Sequence, residues 1–211
     1  MKFIRRSFIG LVLVIFGVTA FSGITYAQTL IVALGDSLTE GFGVAKEEAY
    51  PHLLEQKLLQ KGHAVKVVNA GISGSTSASA VSRLRWYIRT NPDIVIIALG
   101  GNDGLRGLSV EHMKSKLAEA IELALSEKIQ VLLAGMQIPR NYGTEYTESF
   151  RNAFYELAEQ YNLQMIPFLL KGVGGVSSLN QADGIHPNTE GHQILARTVI
   201  EYLEPLLQKR Q

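Results

Sequence analysis

The sequence predicts an α/β fold, a three-layer α/β/α sandwich on a mostly parallel five-stranded sheet, and three observations carry that expectation. Short apolar runs alternate along the chain with longer amphipathic ones. The apolar runs lack the period-two alternation of a half-exposed strand, so they are buried on both faces and require helices on both sides. No repeat, low-complexity tract or Pro-, Gly- or Ser-rich linker interrupts the pattern, so residues 28–211 are expected to form one domain.

Each element has its own reason. Residues 29–34 are a β-branched, apolar run ending in Gly35-Asp36-Ser37, the signature of a buried strand entering a turn, with a helix to follow. Residues 50–60 place Leu53, Leu54, Lys57 and Leu58 at helical spacing, and Lys61-Gly62 stops the helix. Residues 65–68 are the second strand. The small-residue stretch 69–79 is a loop leading into a helix that runs through Tyr87. Pro92-Asp93 introduces 94–99, the most hydrophobic strand, which ends at Gly100-Gly101-Asn102-Asp103. Then follow an amphipathic helix over 113–125, a fourth strand over 129–134, a helix over 148–161, a weak fifth strand over 163–167 and a closing helix over 189–207.

The first 27 residues stand apart. Lys2, Arg5 and Arg6 precede an almost wholly apolar run over 8–21, and Thr25 and Ala27 supply small side chains before Gln28. This is the pattern of a secretory signal peptide cut at Ala27/Gln28, with an uncleaved anchor as the alternative. Cleavage implies a periplasmic or secreted protein. It removes three of the 20 basic residues and none of the 19 acids, taking the net charge from +1 to −2. No basic field is available for a polyanion, so nucleic-acid binding is set aside, and no polybasic segment would hold the mature chain on a membrane. The absence of Cys excludes a disulfide framework, a thiol nucleophile and a Cys-based metal site. No metal or cofactor is expected, and a monomer is the default.

In an open parallel sheet, ligands collect beyond the carboxyl ends of the strands. Three such ends carry small or polar clusters: Gly35-Asp36-Ser37-Leu38, Asn69-Ala70-Gly71-Ile72-Ser73-Gly74 and Gly100-Gly101-Asn102-Asp103. Ser37 falls where a strand gives way to a helix, with backbone N–H groups beside it. Taken alone, Gly-Asp-Ser reads more simply as a helix N-cap. A serine nucleophile needs a base. Of the five histidines, His52, His63 and His112 read as surface or packing residues, and His192, in the closing helix, as a surface residue. His186 differs: in Asp183-Gly184-Ile185-His186-Pro187 the carboxylate can curl back onto one ring nitrogen and leave the other to take a proton. That segment alone is equally an exposed Asp-Gly turn. The order Ser, Gly, Asn, then Asp-x-x-His is far more specific than any piece of it.

On those residues the chain resembles the SGNH hydrolases, the GDSL esterase/lipase family, from about Leu30 to Leu207. All four blocks are present: Gly35-Asp36-Ser37-Leu38, Gly74, Gly100-Gly101-Asn102-Asp103 and Asp183-Gly184-Ile185-His186-Pro187. The likeness runs to the branch of periplasmic thioesterase I, lysophospholipases and arylesterases through Asn102-Asp103-Gly104-Leu105-Arg106-Gly107 and Pro139-x-Asn141-Tyr142-Gly143. One departure is Thr39-Glu40-Gly41, where many relatives carry a second Ser. The resemblance implies the flavodoxin-like SGNH fold, with Ser37 as nucleophile, His186 as general base and acid, and Asp183 as orienting carboxylate. It implies an oxyanion hole from the N–H groups of Ser37 and Gly74 and the Asn102 amide. Asp36 is expected to brace its loop rather than react.

The implied activity is hydrolysis of acyl esters or thioesters through an acyl-enzyme on Ser37. Leu105, Leu108, Ile138, Tyr142 and Tyr146 are expected to line an acyl groove for a small-molecule or lipid-like substrate, or else merely to pack the loops. Carbohydrate acetylesterase is the alternative within the family, and a non-catalytic periplasmic binding module the alternative outside it. An α/β-hydrolase would carry G-x-S-x-G at its elbow, and a nucleotide-binding protein a G-x-G-x-x-G or P-loop Lys after the first strand; neither occurs.

Overall fold

Three aliphatic runs too apolar to face water on either side become three of the five parallel strands in a computed structural model that describes residues 28–208. Contrary to the sequence expectation, the strand from Val65 alternates, with Lys66 and Asn69 exposed, and the short strand from Gln164 is only partly buried. The proposed signal segment lies outside the described residues. The strands are β1 (Thr29–Gly35), β2 (Val65–Gly71), β3 (Ile94–Ala98), β4 (Gln130–Ala134) and β5 (Gln164–Ile166), in the order β2-β1-β3-β4-β5. Every pairing is parallel, so the sheet is wholly rather than mostly parallel. Central strands β1 and β3 are fully buried along Ile31–Leu34 and Ile94–Ala98, the heart of the core.

The longer helices are α2 (Tyr50–Gln60), α3 (Ala80–Ile88), α5 (Val110–Ser126), α6 (Thr144–Gln160) and α7 (Thr189–Gln208). They pack in two groups, α2 against α7 and α5 against both α3 and α6, which gives the two helical layers. Two short helices follow strand ends directly: α1 (Ser37–Glu40) after β1 and α4 (Gly101–Leu105) after β3. Strand order reverses between β1 and β3, so α1 and α4 flank the crevice where doubly wound sheets bind ligands.

Four elements differ from the sequence expectation by more than a residue at one end. β2 continues to Gly71 because its last three residues still pair with Ala33–Gly35 of β1, despite their poor strand propensity. α5 starts at Val110 because the Ser109 hydroxyl accepts the His112 N–H as an N-cap. α6 starts at Thr144, before its apolar periodicity is visible. α1 is a single turn rather than a full helix, ended by Gly41 at φ 85°.

His192 is a correction. It is 1% exposed, not a surface residue, and its Nδ1 accepts the Tyr50 backbone N–H at 3.3 Å. It shares the inner stripe of α7 with Leu195, Ala196, Val199 and Leu203, and burial pushes its imidazole down to about 4, so it stays neutral in the core.

Candidate active site

The turn out of β1 is built around a buried carboxylate. Asp36 is 2% exposed and caps α1: its Oδ1 accepts the Leu38 N–H at 3.0 Å. Thr39 folds back over Gly35, where a Cβ would sit 1.9 Å from its Oγ1, and that hydroxyl is hydrogen-bonded to Tyr50 at 3.0 Å. The turn is therefore held from both sides while the Ser37 hydroxyl projects from the first residue of α1. Burial raises the Asp36 carboxyl to about 6, against its hydrogen bond from Leu38 and the nearby His186 and Arg83.

Ser37 and His186 are 149 residues apart in sequence, yet Ser37 Oγ lies 3.0 Å from His186 Nε2. On the other side of the ring, Nδ1 lies 2.6 Å from Asp183 Oδ2. The Asp183 Oδ1 accepts the backbone N–H of Ile185 at 2.9 Å and of His186 at 3.0 Å, so the carboxylate closes the loop it belongs to. Those backbone and ring hydrogen bonds hold the Asp183 carboxyl down at about 2. Such a chain can pass a proton from hydroxyl to imidazole and stabilise the cation that results.

The sequence analysis did not single out two supports of this loop. Gln181 donates its N–H to the His186 carbonyl at 2.7 Å, and its Nε2 donates to the carbonyls of Phe42 at 2.6 Å and Pro187 at 3.0 Å. It thus ties the histidine loop to the segment after α1. The Phe42 ring lies against the His186 ring, with centroids 4.7 Å apart. Neither residue had a periodicity or motif to mark it.

Asn102, in α4, turns its amide toward the same crevice. Its Nδ2 donates to the Ser75 carbonyl at 3.0 Å and, over a longer 3.3 Å, to Asp36 Oδ2. The first bond fixes the amide, and the second leaves an N–H that a stronger acceptor can take. Gly74 lies in the loop after β2 with φ 76°, a conformation that L side chains avoid. In the structure a Cβ there would meet nothing closer than Arg106 Nη2 at 3.5 Å, so backbone conformation is what calls for glycine. Among the described residues, neither the Ser37 nor the Gly74 N–H is paired with an acceptor.

Ser37, Asn102 and His186 open onto one cavity of about 490 Å³, walled mainly by apolar side chains. Leu105 and Ile138 line it. Leu108, Tyr142 and Tyr146 do not: they border a separate hollow with Glu111 and Glu145. Their packing role explains this, since the Tyr142 hydroxyl donates to the Leu105 carbonyl at 2.8 Å and the Tyr146 hydroxyl to the Leu108 carbonyl at 2.7 Å. The wall also includes Met136 after β4, Phe168 and Leu170 after β5, and Ile185 beside His186. The same strand-end rule that singled out Ser37 marks these positions, but they carry no motif.

A model of the GDSL-like lipase/acylhydrolase family matches residues 33–194. The chain is 42% identical over 182 residues to the esterase TesA of Pseudomonas aeruginosa, covering 86% of this chain and 90% of that one. It is 35% identical over 182 residues to the thioesterase 1/protease 1/lysophospholipase L1 of Escherichia coli, covering 86% of each. Among solved structures, it resembles the psychrotrophic esterase EstA of Pseudoalteromonas sp., a form inhibited by monoethylphosphonate. That likeness has a TM-score of 0.81 at 31% identity, over 86% of this chain and all of the other.

Proposed function

Because this chain belongs to the GDSL-like lipase/acylhydrolase family and is an ester-cleaving hydrolase acting on small esters, we propose that Ser37 is the nucleophile through which it cleaves acyl esters and thioesters. The observation that carries this reading is the continuous contact from Ser37 Oγ through His186 to Asp183. Ser37 Oγ attacks the carbonyl carbon while its proton passes to His186 Nε2, and the imidazolium is stabilised by Asp183. The tetrahedral oxyanion is held by the N–H groups of Ser37 and Gly74 and by the Asn102 N–H now loosely given to Asp36. Collapse breaks the carbon–oxygen or carbon–sulfur bond, and the leaving group takes the proton from His186. Water, deprotonated by the same ring, then attacks the acyl-Ser37 ester, releasing the acid and restoring the serine. Every step is carried by side chains and backbone N–H groups of the chain.

The acyl part is assigned to the cavity. Leu105, Met136, Ile138, Phe168 and Leu170 offer an apolar chain the burial it gains on leaving water, about 0.8 kcal/mol per methylene. Sugar acetates would find few polar partners there. A profile of p-nitrophenyl esters from acetate to dodecanoate, set beside acetylated sugars, is expected to show kcat/KM rising over the first several carbons. A preference for acetylated sugars would replace this reading with a carbohydrate acetylesterase.

We further propose that residues 1–27 are an export signal removed to leave a periplasmic or secreted monomer, with neither nucleic-acid binding nor stable membrane attachment. Sequencing the N-terminus of the protein recovered outside the cytoplasm is expected to begin at Gln28. Retention of residues 1–27 in a membrane fraction would identify an anchor instead.

A further inference from the structure

The loop that presents Gly74 has little packing to hold it: Ile72 is 54% exposed, and Ser73 and Gly74 are exposed as well. An unpacked loop takes its position from hydrogen bonds, and three successive residues here are tied by three different side chains. Ser73 gives both its N–H, at 2.7 Å, and its hydroxyl to a single oxygen, Glu40 Oε2. Arg106 Nη2 donates to the Gly74 carbonyl at 3.0 Å. Asn102 Nδ2 donates to the Ser75 carbonyl at 3.0 Å.

Glu40 differs from the other two ties because it stands on the nucleophile's own helix, three residues after Ser37. The helix and the loop also meet directly. A Cβ on Gly71 would lie 2.0 Å from the Glu40 backbone nitrogen, and the Glu40 carbonyl accepts the Asn69 amide at 3.3 Å. We propose that Glu40 is a positioning residue, which locks Ser73 to α1 and so fixes the Gly74 N–H relative to the Ser37 N–H. This rests on the reading of those two N–H groups as oxyanion donors. It gives the departure at Thr39-Glu40-Gly41 a role: the carboxylate spans the gap between two segments that must move as one. A donor out of place by a fraction of an ångström binds the tetrahedral oxyanion less well than the planar ground state, so the loss falls on kcat rather than KM.

The test compares Glu40→Ala, Glu40→Gln and the parent protein in p-nitrophenyl butyrate turnover and in phosphorylation of Ser37 by diethyl p-nitrophenyl phosphate. Phosphorylation of the parent at Ser37 tests the nucleophile, on which the oxyanion reading depends, independently of Glu40, and its absence would remove that reading whatever Glu40 does. Glu40→Ala is expected to lower kcat about ten- to hundredfold, with KM within about twofold, and to slow phosphorylation in the same proportion. Glu40→Gln keeps an oxygen that can accept both Ser73 bonds and is expected to restore most of the rate. An Ala variant with kcat within twofold of the parent, or a Gln variant as impaired as the Ala variant, would overturn the proposal. Should the Ala variant fail to fold, Ser73→Ala removes the hydroxyl bond alone and is expected to show a smaller fall in kcat, again at constant KM. An unchanged kcat in Ser73→Ala together with an impaired Gln variant would count against it.

Discussion

Replacing Ser37 with Ala is expected to lower p-nitrophenyl ester turnover by roughly five to six orders of magnitude and to abolish covalent labelling by organophosphates, while thermal stability stays close to that of the parent. The structure separates the two effects. Among the described residues the Ser37 hydroxyl bonds to His186 alone, whereas the turn beneath it is held by Asp36, Thr39 and Tyr50. Alanine at the first position of α1 disturbs none of those contacts and is a good helix former. Removing His186 as well should cost little more, because residues that act as a unit do not lose activity additively. Retained turnover in Ser37→Ala would eliminate this serine as the nucleophile.

The second large effect is expected from Asp183→Asn. An asparagine whose Oδ1 keeps the N–H groups of Ile185 and His186 must place its Nδ2 against the ring nitrogen that now lies 2.6 Å from Asp183 Oδ2. Two donors cannot share that contact, so the ring moves its hydrogen to Nε2. That nitrogen then donates to Ser37 instead of accepting from it. The loss is expected to reach about 10⁴-fold in kcat. Flipping the amide would instead set its NH₂ against two backbone N–H groups and loosen the loop. The wild-type carboxylate, held at about 2, is ionised throughout the range where the enzyme would be assayed. Its depressed value means that Asp183 begins to lose its charge only below the ordinary carboxylate range. An Asn variant within tenfold of the parent would show that the carboxylate is dispensable.

Much of the fold was legible because a doubly buried strand leaves an unmistakable trace. Ile31–Leu34 and Ile94–Ala98 are apolar at every position, and no surface element of that length can be. The site was legible where chemistry restricts the residue type, as at Ser37, Asn102, Asp183 and His186. It was illegible where only shape matters. Met136, Phe168 and Leu170 wall the cavity as ordinary apolar residues, while Tyr142 and Tyr146 resembled groove residues until their hydroxyls were seen bound to backbone carbonyls. Gln181 and Glu40 act through bonds to distant segments, 139 and 33 residues away, and no local pattern encodes such partners. His192 was the one misjudgement that periodicity alone would have prevented.

The hydroxyl comes from the first turn after the first strand, and the imidazole from the last loop before the final helix. If these two groups are the nucleophile and its base, a ribosome-bound or truncated chain that lacks its closing segment is expected to be inactive, however well its early strands have paired. Bringing these segments together costs loop-closure entropy, which long-range packing such as that of α7 against α2 and β5 offsets. Turnover during refolding is thus expected to return only once the two ends have met, and spectroscopic recovery of helix content to run ahead of it.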